Sequence, residues 1–233
     1  HGMDPRRLRS LALLALLVTI VGTAARWRCA ALGWGPNLLP QPDAVEYAAA
    51  AQALARLDGY VLQIGPHQAP PRYPPGWPLL LSAAVRVGLP GESLWRLTGV
   101  LGGVLSALVA VSAWLAVATL TTRPGRGDRL GAAAGAAAGL VWALAPLPVF
   151  QGQTVLSDEP CLLVSWLGLM LLVAGCRDAD SERRGWRRWG LLAASGVLFG
   201  VAASVRFVAA ALLAPAVVVV VSGAVSGPRR GRR

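Results

Sequence analysis

Residues 76–89 read Gly-Trp-Pro-Leu-Leu-Leu-Ser-Ala-Ala-Val-Arg-Val-Gly-Leu, and whether they cross a membrane decides the architecture of the chain. The stretch is apolar, but it holds Arg86 and is bracketed by Pro74-Pro75 and Pro90-Gly91. A helix needs about 20 predominantly apolar residues to cross a bilayer, within a working range of about 17 to 25. Six other apolar stretches surround this one, at roughly 10–25, 94–120, 130–150, 160–176, 188–205 and 207–225.

The arginines discriminate between the two readings. If 76–89 does not cross, Arg6, Arg7 and Arg9 share one side with Arg123, Arg126 and Arg129. Arg177, Arg183, Arg184, Arg187, Arg188, Arg229, Arg230, Arg232 and Arg233 join them there. That gathers most of the chain's 22 basic residues, all arginine, on a single face, as cytoplasmic loops require. If the stretch does cross, the first arginine cluster opposes the second. The sequence therefore predicts an all-α integral membrane protein with about six transmembrane helices and both termini cytoplasmic. Segment 26–93 is then an extracytoplasmic loop carrying two interfacial helices, one at 76–89 and one opening at Pro42.

Composition agrees. Of 233 residues, 55% are hydrophobic and 14% charged, against roughly 25% charged in a soluble domain. The net charge of +11 raises the question of nucleic acid, but the arginines flank apolar runs, where topology uses them. No nucleic-acid partner is expected. Cys29, Cys161 and Cys176 lie in or beside apolar segments without metal-ligand spacing, and read as small hydrophobes. His1-Gly2 ahead of Met3 reads as an appended dipeptide, and residues 3–233 as a single transmembrane module. Arg26-Trp27-Arg28 stands where a leader would be cleaved, so the first apolar run reads as a retained span. Gly131, Gly135 and Gly139 form a small-residue stripe suited to close helix contact.

Four polar features remain, all on the extracytoplasmic face under this topology. Pro42-Asp43-Ala44-Val45-Glu46-Tyr47 opens an alanine-rich helix, with Asp43 where a cap or first-turn acid belongs. His67 to Pro78 holds five prolines around Arg72 and Tyr73 and reads as a stiff, extended loop. Leu156-Ser157-Asp158-Glu159-Pro160 places two adjacent acids at the mouth of a span; capping explains one of them and leaves the other unexplained. Arg206 interrupts a long apolar region, either as a turn marker that snorkels to the surface or as an anion ligand. Carboxylates and arginines gathered on one face suit a task in which a guanidinium grips a lipid-linked phosphate and a carboxylate activates an acceptor.

These residues resemble a specific family. Asp43, Tyr47, Gly59-Tyr60 and Arg72-Tyr73-Pro74-Pro75-Gly76-Trp77-Pro78-Leu79-Leu80 are similar to the first extracytoplasmic loop of GT-C glycosyltransferases. The likeness is to bacterial members of the dolichyl-phosphate-mannose protein mannosyltransferase and aminoarabinose transferase superfamily. Ser157-Asp158-Glu159-Pro160 resembles that family's second acidic motif, and Val205-Arg206 the arginine that follows a small-residue helix. The resemblance spans about 40–225 and corresponds to the family's N-terminal transmembrane module; family members usually carry about twice as many spans.

The resemblance implies catalytic roles for Asp43 and Asp158, and substrate-binding roles for Glu46, Tyr47, His67, Arg72, Tyr73, Glu159 and Arg206. Some family members hold a divalent metal (Mg, Mn or Zn) near the two acids and others need none; where one is bound, Asp43 and Asp158 are the metal-ligand candidates. The expected partners are a polyprenyl-phosphate-linked sugar, membrane lipids and an acceptor, at the outer face of a bacterial cytoplasmic membrane. The competing reading is a non-catalytic subunit or carrier that holds a lipid phosphate on the same residues.

Overall fold

The computed structural model describes residues 5–29, 42–88, 91–120, 126–146, 156–177 and 185–218. Seven α-helices dominate: α1 (Pro5–Cys29), α2 (Pro42–Ala55), α3 (Gly76–Arg86), α4 (Gly91–Leu120), α5 (Arg126–Leu144), α6 (Asp158–Arg177) and α7 (Gly185–Val205). A 3₁₀ helix, Phe207–Leu212, follows α7.

Four helices are long and apolar enough to cross a membrane: Leu8–Arg28, Gly99–Val117, Asp158–Cys176 and Trp186–Val205. The other two expected spans are shorter apolar helices among the described residues, Arg129–Leu144 and Phe207–Val218. In the first, charged residues open α5 and Pro146 follows its end, the residue before a proline being pushed out of the helical region; 147–150 lie outside the described residues. Residues 219–225 lie outside the described residues.

Stretch 76–89 forms α3, an 11-residue helix. At 1.5 Å per residue it is ~16 Å long, about half the thickness of a hydrocarbon core. Its Trp77, Pro78, Leu81 and Ser82 face inward, while Leu79, Leu80 and Val87 stay exposed.

The loop that begins at His67 opens as a strand: β1 (Leu62–Ile64) pairs antiparallel with β2 (His67–Ala69), with Ile64 opposite His67. Gly65, at φ +60°, opens the two-residue turn, which suits a type II′ hairpin. Three-residue strands are too short to announce themselves by alternation.

The helices alternate in direction. Gly131 lies beside Trp114, Gly135 beside Ala110 and Gly139 beside Ser106, so α4 and α5 run antiparallel. A Cβ added to Gly135 would stand 2.5 Å from the Ala110 carbonyl oxygen, so the stripe read in the sequence is what lets these helices touch. Val18 meets Gly139 and Gly22 meets Ala143, so α1 runs with α5. In the second pair, Gly168 adjoins Phe199 and Gly175 adjoins Leu192, and Ser195 Oγ donates to the Gly168 carbonyl at 2.8 Å. The end of α1, the start of α6 and the end of α7 therefore converge at one end of the bundle.

That end is where α2 and α3 sit. Ala44, Tyr47 and Ala51 of α2 and Trp77 and Leu81 of α3 form one buried cluster with Cys161 of α6 and Ala202 and Val205 of α7. The approach is closest at Gly76, where an added Cβ would lie 2.5 Å from the Ser204 carbonyl oxygen.

Candidate functional site

The two adjacent acids at the start of α6 face different partners. Asp158 Oδ2 forms an ion pair with Arg206 Nη1 at 2.5 Å, with the side chains 22% and 38% exposed. Glu159 Oε1 faces Arg26 Nη2 at 3.5 Å, with the side chains 2% and 0% exposed. Arg26 belongs to the last turn of α1 and Arg206 directly follows α7, so one dipeptide joins three helix ends. This accounts for the acid that capping leaves over.

Arg26 occupies a cradle made by glycines. A Cβ on Gly102 would come within 2.6 Å of Arg26 Nε, and one on Gly22 within 3.3 Å of Nη1. Nη1 also donates to the Gly22 carbonyl at 3.1 Å. Glu159 Oε2 has no hydrogen-bond partner among the described residues.

The second layer comes from α2 and the loop after the hairpin. Consecutive turns of α2 put Asp43, Glu46, Tyr47 and Ala50 on one side. Glu46 binds Arg72 twice: the backbone N–H donates to Oε1 at 2.5 Å and Nε to Oε2 at 2.9 Å. That leaves the Arg72 guanidinium 68% exposed while Glu46 is sealed at 7%. The Tyr73 hydroxyl donates to Asp43, its ring centroid lies 5.0 Å from that of Tyr47, and Arg72 stands 5.6 Å over the Tyr73 ring. Tyr47 and Ser157 share a buried hydrogen bond of 2.8 Å, tying α2 to the residue before α6. The Tyr60 hydroxyl donates to the Tyr73 carbonyl at 2.6 Å and fastens the loop from behind.

These contacts set the electrostatics. Tyr47 ionises above its ordinary range, chiefly because it is buried, with Asp43 and Asp158 adding to the rise and Arg206 opposing it. Both acids and Arg206 thus act electrostatically on one phenol. Tyr73 is pushed up to about 12, first by its hydrogen bond to Asp43. Tyr60 is pushed up to about 12, first by burial. Glu46 raises Arg72 further above its ordinary value. Three carboxylates (Asp43, Glu46, Asp158) face two guanidiniums (Arg72, Arg206), an excess of one negative charge.

Asp43, Glu46, Tyr47, Arg72, Tyr73, Asp158 and Arg206 are thus brought together. His67 is exposed at the hairpin turn, outside this network. Glu159 adjoins the cluster but is sealed against Arg26. Sequence reasoning missed Arg26, Ser157 and Tyr60. Gly59-Tyr60 stood in the quoted motif, while Arg26 looked like a span-end arginine and Ser157 like a cap.

Among the described residues no three His, Cys, Asp or Glu side chains converge on a point. Asp158 is engaged by Arg206, whose charge opposes a cation there. The donor set does not fit a protein-held divalent ion. Comparison with protein-family profiles, curated proteins and solved structures found no match for this chain.

Proposed function

We propose that the chain is a GT-C-type glycosyltransferase module. It transfers a sugar from a polyprenyl-phosphate donor to an acceptor at the outer face of a bacterial cytoplasmic membrane. The long apolar helices span the bilayer, Arg129–Leu144 and the segment from Phe207 onward complete six spans, and α2 and α3 lie in the outer interface. The observation that carries this reading is the Asp158–Arg206 ion pair where three helix ends meet, with Asp43 acting electrostatically on the same buried phenol, Tyr47.

In the reaction, Arg206 and Arg72 hold the donor phosphate. Asp43 takes the proton of the acceptor hydroxyl or amine as the acceptor atom bonds to the anomeric carbon. The bond from that carbon to the phosphate oxygen breaks, and the phosphate leaves with the electron pair, stabilised by the guanidiniums. The anomeric centre inverts. Asp43 suits the base because its hydrogen bond is to the neutral Tyr73 hydroxyl, whereas Asp158 is ion-paired with Arg206.

The test is turnover of polyprenyl-phosphate sugars by the full chain in nanodiscs with a panel of acceptors. Asp43→Asn is expected to lower the rate about 10²–10⁴-fold while donor binding persists. Full transfer by an inserted, folded Asp43→Asn protein overturns the assignment. Saturable donor binding without turnover supports instead the non-catalytic lipid-phosphate carrier.

A further inference from the structure

The arginine–carboxylate pairs at this end of the bundle differ in one respect. Arg26–Glu159 is sealed, with both side chains at or below 2% exposure. Glu46 is gripped by Arg72 through backbone and side chain together. Arg206–Asp158 is open on both sides and rests on one contact, Nη1 to Oδ2. A guanidinium has five N–H donors, and partly exposed ion pairs are weak. Asp158 also lies in the first turn of α6, where the helix dipole favours a carboxylate without help from any cation.

The surrounding charge makes this openness consequential. With one carboxylate in excess, the cluster does not present an unneutralised cation to an incoming anion. A phosphate gains a full positive charge there only by taking an arginine from its carboxylate. Arg206 is the one whose partner can release it.

We infer that a phosphate monoester or diester entering the site takes Arg206 from Asp158, and that this exchange leaves the Asp158 carboxylate open to the second substrate. The inference rests on the transferase reading for its role and deepens it. Donor binding uncovers Asp158, so the acceptor is received only after the phosphate is in place. Glu159, one residue away, is the fixed member of the dyad and takes no part in the exchange.

The exchange makes a prediction of unusual sign. Undecaprenyl phosphate is titrated, without acceptor, into the full chain in zwitterionic nanodiscs. Asp158→Asn removes the competitor for Arg206 and is expected to bind the probe about 3- to 10-fold more tightly than the parent. Arg206→Gln weakens binding by at least about tenfold, and in the double variant the gain from Asp158→Asn disappears. Glu159→Gln removes the same charge next door and does not tighten binding. Should Asp158→Asn fail to fold, Asp158→Ser removes the same carboxylate and must give the same gain. Unchanged or weaker affinity in the folded Asp158 variant, or equal tightening by Glu159→Gln, overturns the exchange. Sugar transfer by the parent chain with unchanged affinity in the Asp158 variant overturns the exchange alone. Tightened binding in the Asp158 variant with no transfer by the parent chain overturns the transferase reading alone.

Discussion

Tyr47 Oη lies 2.8 Å from Ser157 Oγ, with Tyr47 2% and Ser157 0% exposed, across 110 residues of sequence. Among the described contacts it is the hydrogen bond that ties α2 directly to the entrance of α6. Tyr47→Phe keeps the ring in its cluster and deletes only the hydroxyl, leaving Ser157 without that partner. A loss of about 1–2 kcal/mol is expected, read by thermal or denaturant unfolding in detergent. Adding Ser157→Ala to the Tyr47→Phe variant should cost little more, because the two groups act as one bond.

The three tyrosines of the chain are Tyr47, Tyr60 and Tyr73, and all three are raised. An ultraviolet titration should therefore show no tyrosinate forming near the ordinary value of about 10, with Tyr60 and Tyr73 ionising near 12. The sign follows from proton binding. Between about 10 and 12 the native chain retains phenolic protons that the unfolded chain has lost, so stability is full below 10 and declines as pH rises through 12. A phenol titrating at 10 in the folded protein contradicts the buried and hydrogen-bonded placement. Asp43→Asn should lower the Tyr73 value more than that of Tyr47, since the bond to Asp43 is the leading cause of the Tyr73 rise and only a minor cause for Tyr47.

Removing one member of the sealed pair leaves a buried charge unanswered. Arg26→Met and Glu159→Gln should each destabilise by about 3–5 kcal/mol, and the double replacement by less than either alone. Denaturant midpoints in a double-mutant cycle measure this. Gly102→Ala tests the cradle, since its methyl would sit 2.6 Å from Arg26 Nε. Overpacking of this kind costs about 1–3 kcal/mol, and pairing Gly102→Ala with Arg26→Met should relieve it.

Helix direction yields a labelling test. Asp58 is exposed beyond the end of α2, and Trp186 is 91% exposed at the start of α7. With native cysteines replaced, Asp58→Cys should react with a membrane-impermeant thiol reagent in intact cells. Trp186→Cys should react only after permeabilisation. Labelling of both from outside would mean that α3 crosses the bilayer or that α7 is reversed.

Much of the fold was legible because hydropathy and arginine placement act over long windows. The expectation that 76–89 does not cross rested on Arg86, the flanking prolines and the arginine balance, and the helix there is 11 residues long, short of the about 20 that a span needs. The glycine stripe on α5 was legible for the same reason, since its period is the helix period. Pairings were not. Glu159 and Arg26 lie 133 residues apart, and each has an adequate local explanation, one as a first-turn acid and the other as a span-end arginine. Glu46 read as a substrate contact because nothing in its own turn reveals that Arg72 folds back onto it. The hairpin was hidden by the prolines around it, which argue against regular hydrogen bonding.

Gly76 presses its backbone against the Ser204 carbonyl with no room for a side chain. The proline-rich loop is therefore joined to the final helix as a hinge leaf is joined to its post. A wedge at this one position would lever the α3 side of the loop off α7. Gly76 is in that sense a gauge of how tightly the loop is clamped, and side chains of graded size there would calibrate it.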